Sequence, residues 1–234
     1  MLSDYLLHQD HARFVSYLNA IGISDRLGPS ATWPTPPSGK SPAGFPAWAD
    51  GTPVAANGPD DAANYVSAVS SNGAITYVPY AYALEHDEPV ASVVNASGTA
   101  VQPTSSNVMT VLAKATLDKN LLANLTGVFR DRSPSAYPVS GYSYVVAPCS
   151  PALARAEEPA TRCAGDNSGS STYPADRGEA LGEFLNFIVC RGQQKVGLLG
   201  YAPLPRRLVR QAFSGIGRID GSDEPAIPTA ANCP

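Results

Sequence analysis

Charge is scarce in this chain. Charged side chains make up 15% of its 234 residues and the net charge is −4, against roughly 25% charged in an average soluble domain. No Lys/Arg run occurs, which argues against nucleic acid or an anionic membrane surface as a partner. Small anions stay open, because they are captured by local donors at helix N-termini rather than by net charge. Long apolar runs are also missing: none approaches the roughly 20 residues that cross a bilayer, and the first residues lack the basic region, apolar stretch and cleavage site of a signal peptide. No Gly-x-Ser-x-Gly elbow, P-loop or G-x-G-x-x-G opening a helix after a strand is present. The expectation is therefore no enzyme and no cofactor.

Histidine is equally sparse, with 3 in the chain. His8 and His11 stand three apart on an expected helix, a spacing that can present two imidazoles to a metal with His86 as third ligand. No carboxylate or thiol completes the set, so surface histidines are the better reading and no metal is expected.

What the chain does have is apolar bulk and turn formers: 44% hydrophobic residues, 22 prolines and 20 glycines. That is enough to bury a core, in a loop-rich composition suited to an exported protein. The four cysteines, Cys149, Cys163, Cys190 and Cys233, allow three pairings. Cys149 and Cys163 bracket a Pro/Ala/Gly/Ser-rich insertion at 148–176, and Cys233 in the tail can be tied back to Cys190 on a helix; these two disulfides are expected. Four reduced thiols is the alternative for a cytosolic protein.

Along the chain, Leu2, Leu6, Phe14, Tyr17, Leu18 and Ile21 predict one or two helices, with Ser3 as a cap and Gly22 as a stop. Residues 28–59 read as an ordered loop packed by Trp33, Phe45 and Trp48. Helix 60–71 follows, capped by Asn57 or Asp60. Strands are expected at 73–78, 90–94 and 142–147, and helices at 105–115, near 117–125, at 178–191 and at 206–214. In helix 178–191 the apolar stripe is Leu181, Phe184, Leu185, Ile188 and Val189, ended by Gly192.

Other candidate groups carry bland readings. Tyr77, Tyr80 and Tyr82 could line a cleft but are read as core and hinge packing. Arg206, Arg207 and Arg210 read as a solvated basic face. Residues 167–171, Asn-Ser-Gly-Ser-Ser, echo an anion loop, yet no helix follows them, and a flexible insertion tip is expected. Asn95-Ala96-Ser97 and Asn124-Leu125-Thr126 match the glycosylation acceptor pattern.

Several blocks taken together carry a resemblance. They are Gly-Ala-Ile-Thr-Tyr-Val-Pro-Tyr-Ala-Tyr-Ala at 73–83; Val94-Asn95-Ala96-Ser97-Gly98 leading to Pro103-Thr104; Ala136-Tyr137-Pro138-Val139 before 142–146; and Leu199-Gly200-Tyr201-Ala202-Pro203-Leu204-Pro205. In this order, over nearly the whole chain, they resemble the phosphate-binding receptors of ABC transporters. The resemblance implies an α/β, periplasmic-binding-protein-like (type II) two-lobed fold, incomplete at the N-terminus. Residues 1–135 would form part of the second lobe and 136–234 would return to the first.

The resemblance also implies an extracytoplasmic protein whose partners are phosphate and a transporter permease. The family's Arg-x-Asp-x-Ser-Gly-Thr anion segment is absent, and Leu2-Ser3-Asp4-Tyr5-Leu6 resembles the helix that follows it. On this alignment no residue here ligates phosphate, the direct ligands lie upstream of Met1, and an export signal is missing with them. The chain is then a C-terminal portion that, alone, is poorly stable or self-associating, because its sheets lack partner strands. The alternative is a surface-displayed structural or interaction module of the same fold without solute binding.

Overall fold

The computed structural model describes residues 2–23, 29, 33–35, 41, 44, 54–118, 120–148, 174–223 and 233. The chain divides into two compact units, Met1–Leu112 with Thr126–Gly141, and Ala113–Leu125 with Tyr142–Pro234.

The first unit opens with α1 (Leu2–Gln9) and α2 (His11–Ala20). The expected cap, Ser3, lies inside α1 and is buried. The break falls at Asp10, whose carboxylate accepts the backbone N–H of Arg13 at 3.0 Å, a side-chain cap that starts a new helix. Gly22, at φ 81°, follows α2 as the expected stop. Phe14, Leu18 and Ile21 are buried with Leu6, Leu7, Tyr17, Ile23 and Trp33 against them. Next come α3 (Pro59–Ser67), a 3-10 turn at Val69–Ser71 and α4 (Tyr80–Glu85). Neither Asn57 nor Asp60 caps α3; Gly58 occupies that position at φ 109°, with Pro59 as the first helical residue, where a missing N–H costs nothing. β1 (Val93–Val94) and β2 (Ala100–Val101) form an antiparallel hairpin. α5 (Ser105–Leu112) and α6 (Thr126–Phe129) complete the unit.

In the second unit the expected helix near 117–125 is instead a hairpin, β3 (Thr116–Leu117) against β4 (Ala123–Asn124). Asp118 decides this. Its carboxylate accepts the N–H groups of Asn120 and Leu122 at 2.8 and 2.9 Å, giving the backbone a turn in place of a helical ladder. Leu121 sits at φ 64° inside that turn. α7 (Ala175–Val189) passes into 3-10 turns at Arg191–Gln194 and Val196–Leu199, and α8 (Arg206–Ile216) closes the described core.

Leu185, Cys190, Val209, Phe213, Ile216 and Ile219 form that core, with Leu181, Ile188, Val189, Leu204 and Cys233 packed on it. The stripe on α7 differs from expectation. Gly178 and Gly182 are buried while Phe184 is 59% exposed. The reason is a turn lying on the two glycines: a Cβ at Gly178 would stand 1.5 Å from the Asp220 carbonyl oxygen, and one at Gly182 2.0 Å from Ser222 Oγ.

The expected strands at 73–78 and 142–147 enter no ladder among the described residues. Among the described residues the sheets are the two hairpins, each of two strands, and the expected strand at 90–94 is reduced to Val93–Val94. The chain thus mixes many helices with small sheets.

Candidate functional site

The tyrosine-rich turn joins a half-exposed aromatic cluster. Pro79 precedes α4 in an extended conformation, which sets Tyr77 apart from the tyrosines on the helix. The Tyr77 ring meets Trp33 edge-on at 5.6 Å, and Trp33 lies 6.2 Å from both Phe14 and Tyr17. These separations suit aromatic pairing. The Tyr17 hydroxyl donates to the Pro34 carbonyl at 2.8 Å. Burial pushes the Tyr17 and Tyr77 hydroxyls above their ordinary range, at Tyr17 against a lowering by a hydrogen bond with Trp33. Tyr80 and Tyr82 are half-buried on α4. Packed aromatic rings of this kind hold elements together.

His8 and His11 are not on one helix, since Asp10 separates them. His8 Nδ1 lies 2.9 Å from the Asp4 carbonyl and 3.3 Å from its carboxylate, and its ring packs against Phe129 at 5.1 Å. His11 is exposed and His86 ends α4. Among the described residues no group of three or more His, Cys, Asp or Glu could hold a metal.

Two arginines are directed at backbone carbonyls. Arg130 donates from Nε and Nη2 to His8 O, and Arg207 donates from Nη2 to Ala115 O at 2.8 Å. Arg206 and Arg210 are exposed, as a solvated face requires. Burial pushes the Tyr142 hydroxyl up to about 12, with Arg207 drawing it back and Tyr144 adding to the rise.

Asn95 is the most heavily bonded polar side chain described. Its amide nitrogen donates to the carbonyls of Ser133, Pro134 and Ala136, each at 3.1 Å. Its oxygen accepts from Ser97 N, Ser97 Oγ and Thr99 N at 3.0, 2.6 and 3.1 Å. The acceptor nitrogen of that glycosylation pattern is therefore buried and occupied, whereas Asn124 is exposed on β4. The order Asn95-Ala96-Ser97-Gly98-Thr99 also carried a signal for a side chain that closes its own turn.

In the second unit Cys190 is joined to Cys233 by a disulfide. Beside it lies a cavity of about 160 Å³ lined by Val189, Gln193, Leu204, Arg206, Val209 and the two cysteines, among others. Gln193 is engaged there, donating to Ile188 O and accepting from Leu204 N, both at 2.7 Å. One cation and a mostly apolar wall do not make the set of convergent donors that an oxyanion needs. Cys149, Cys163 and the 167–171 loop lie outside the described residues.

Two curated proteins are similar to this chain, and both are named phosphate-binding protein PstS. The one from Xylella fastidiosa is 27% identical over 163 residues, covering 68% of this chain and 37% of the relative. The one from Methanocaldococcus jannaschii is 23% identical over 222 residues, covering 89% of this chain and 48% of the relative. The chain thus spans less than half the length of these curated relatives. No protein-family model matches it, and no solved structure does. The relatives are binding proteins by name.

Proposed function

We infer that this chain is part of an extracytoplasmic solute-binding protein that captures phosphate or a similar inorganic anion for an ABC transporter. The observation that carries this reading is the similarity to PstS over 222 residues, 89% of the chain. The fold of the intact protein is taken to be periplasmic-binding-protein-like. Residues 1–135 contribute to one lobe, 136–234 return to the other, and the permease is the partner.

Two features on this chain support a supporting role over a ligating one. Arg130 and Arg207 reach backbone carbonyls, and the cavity beside the disulfide lacks a donor set for an oxyanion. On this reading the segment supplies framework and the connections about which lobes close, not the phosphate ligands. The disulfide between Cys190 and Cys233 suits an oxidising compartment outside the cytoplasmic membrane.

The test is a calorimetric phosphate titration of the protein purified from its source, beside the 234-residue chain. Binding by the source protein with none by the isolated chain supports both parts of the reading. A source protein silent to phosphate would remove the solute-binding function and leave the interaction module.

A further inference from the structure

An asparagine followed by glycine is open to attack by its own backbone, because no Cβ on the second residue shields the backbone nitrogen from the neighbouring side-chain amide. The pair occurs twice in this chain, at Asn57-Gly58 and Asn72-Gly73, and every other asparagine is followed by a residue with a side chain. Both pairs lie in the first unit, one on each side of α3 and its 3-10 turn. All four residues are exposed.

The fold leaves the reacting atoms accessible. The N–H groups of Gly58 and Gly73 donate no backbone hydrogen bond among the described residues, and nothing lies within 4 Å of where a Cβ would stand on either glycine. Asn72 is extended, at ψ 125°, so its Cγ reaches the Gly73 nitrogen by rotation about the Cα–C bond. Little resists that rotation: the Asn72 N–H meets the Val69 carbonyl at a long 3.4 Å, and the Ala74 N–H meets the Ser71 carbonyl at 2.8 Å. Exposed turns with so few backbone bonds open at little cost. Asn95, in the same unit, is the opposite case. It is 6% exposed, and its amide is fixed by the carbonyls of 133, 134 and 136 on one side and by Ser97 and Thr99 on the other.

We propose that Asn57 and Asn72 are modification sites, where a succinimide forms spontaneously and opens to aspartate and isoaspartate. The glycine nitrogen bonds to the asparagine Cγ, the Cγ–Nδ2 bond breaks, and ammonia leaves with the proton that the glycine nitrogen gives up. Water then opens the ring. Attack at Cγ breaks its bond to the glycine nitrogen and gives aspartate; attack at the original backbone carbonyl breaks that carbon's bond to the nitrogen and gives isoaspartate. Each event makes the net charge, −4 in the unmodified chain, one unit more negative. At 57 the new carboxylate joins Asp60 and Asp61 near the start of α3, where the helix dipole favours it. At 72 isoaspartate lengthens the backbone by a methylene just ahead of the segment that brings Tyr77 to Trp33.

The experiment is peptide mapping by mass spectrometry over time, on the protein as purified from its source, held in mildly alkaline buffer and in parallel in guanidinium chloride. Transfer of labelled methyl groups by an isoaspartate-specific carboxyl methyltransferase is the second readout. Asn57 and Asn72 are expected to convert in the folded protein within about tenfold of their unfolded rates, and at least about tenfold faster than Asn95. Isoaspartate is expected to exceed aspartate at both. Protection of either pair by more than about tenfold in the folded protein would overturn the proposal for that pair. Aspartate without isoaspartate would overturn the succinimide route in favour of direct hydrolysis. Asn57→Gln and Asn72→Gln, exposed substitutions whose longer side chain closes the larger ring slowly, each remove the methylated product at their own position and leave the other unchanged.

Discussion

A methyl group added at Gly178 would stand 1.5 Å from the Asp220 carbonyl oxygen, and backbone cannot rotate away as a side chain can. Helix propensity favours alanine over glycine by about 1 kcal/mol, whereas overpacking costs about 1 to 3 kcal/mol. With the obstacle in the backbone, the clash wins. Gly178→Ala is expected to lower the urea midpoint of the second unit. Gly182→Ala, which meets the movable Ser222 Oγ, should lower it less, and equal losses would show that the turn at 220–222 does not press on α7 as described. In the first unit Asn95→Ala removes the side chain that bonds residues 97–99 to 133–136. Leaving the buried Ala136 carbonyl, and part-buried groups at 97, 99, 133 and 134, without it costs about 2 kcal/mol. Asn95→Asp keeps the acceptor but turns a carboxylate toward three carbonyls, so it should fare no better than alanine in chemical denaturation.

At the scale of elements, the Cys190–Cys233 bridge fastens the tail to the end of α7 across 43 residues. In the chain-entropy account a loop of that length is worth about 4 kcal/mol. Cys233→Ser is expected to lower the thermal midpoint of the second unit in oxidising buffer and to remove its sensitivity to reductant. Tyr142 gives the same unit a pH limit. Its hydroxyl titrates at about 12 in the folded chain and near 10 in an unfolded one. The stability it contributes is therefore complete below about pH 10 and is lost as pH rises toward about 12. Tyr142→Phe should flatten that alkaline slope in denaturant midpoints taken from pH 8 to 12.

Much of the element pattern was legible in the residues. The apolar spacing of 206–214 and 178–191 gave two helices within a few residues of α8 and α7. The failures have local causes. Asp118 took the N–H groups that a helix at 117–125 would have used, and Asp10 capped a new helix where one continuous stretch would have aligned His8 with His11. Period alone cannot weigh a carboxylate that competes for the backbone. Segments 73–78 and 142–147 were read as strands from composition, but a ladder needs a neighbour, and none lies among the described residues.

For the whole molecule, the site was less legible than the framework, because anion recognition depends on convergent donors that no motif here encodes. Tyr17, Tyr77, Arg130, Arg207 and Asn95 resolve into packing, backbone contacts or turn closure, and Arg206 and Arg210 are exposed. What remains is the similarity to two phosphate-binding proteins over less than half their length. The proposed reading gives this chain the framework and the ligands to polypeptide it does not match. The most direct check is a phosphate titration of the isolated 234-residue chain by calorimetry, under conditions where circular dichroism shows its helices intact. The account predicts no saturable heat up to millimolar phosphate, and micromolar binding would contradict it by placing a complete ligand set on these residues.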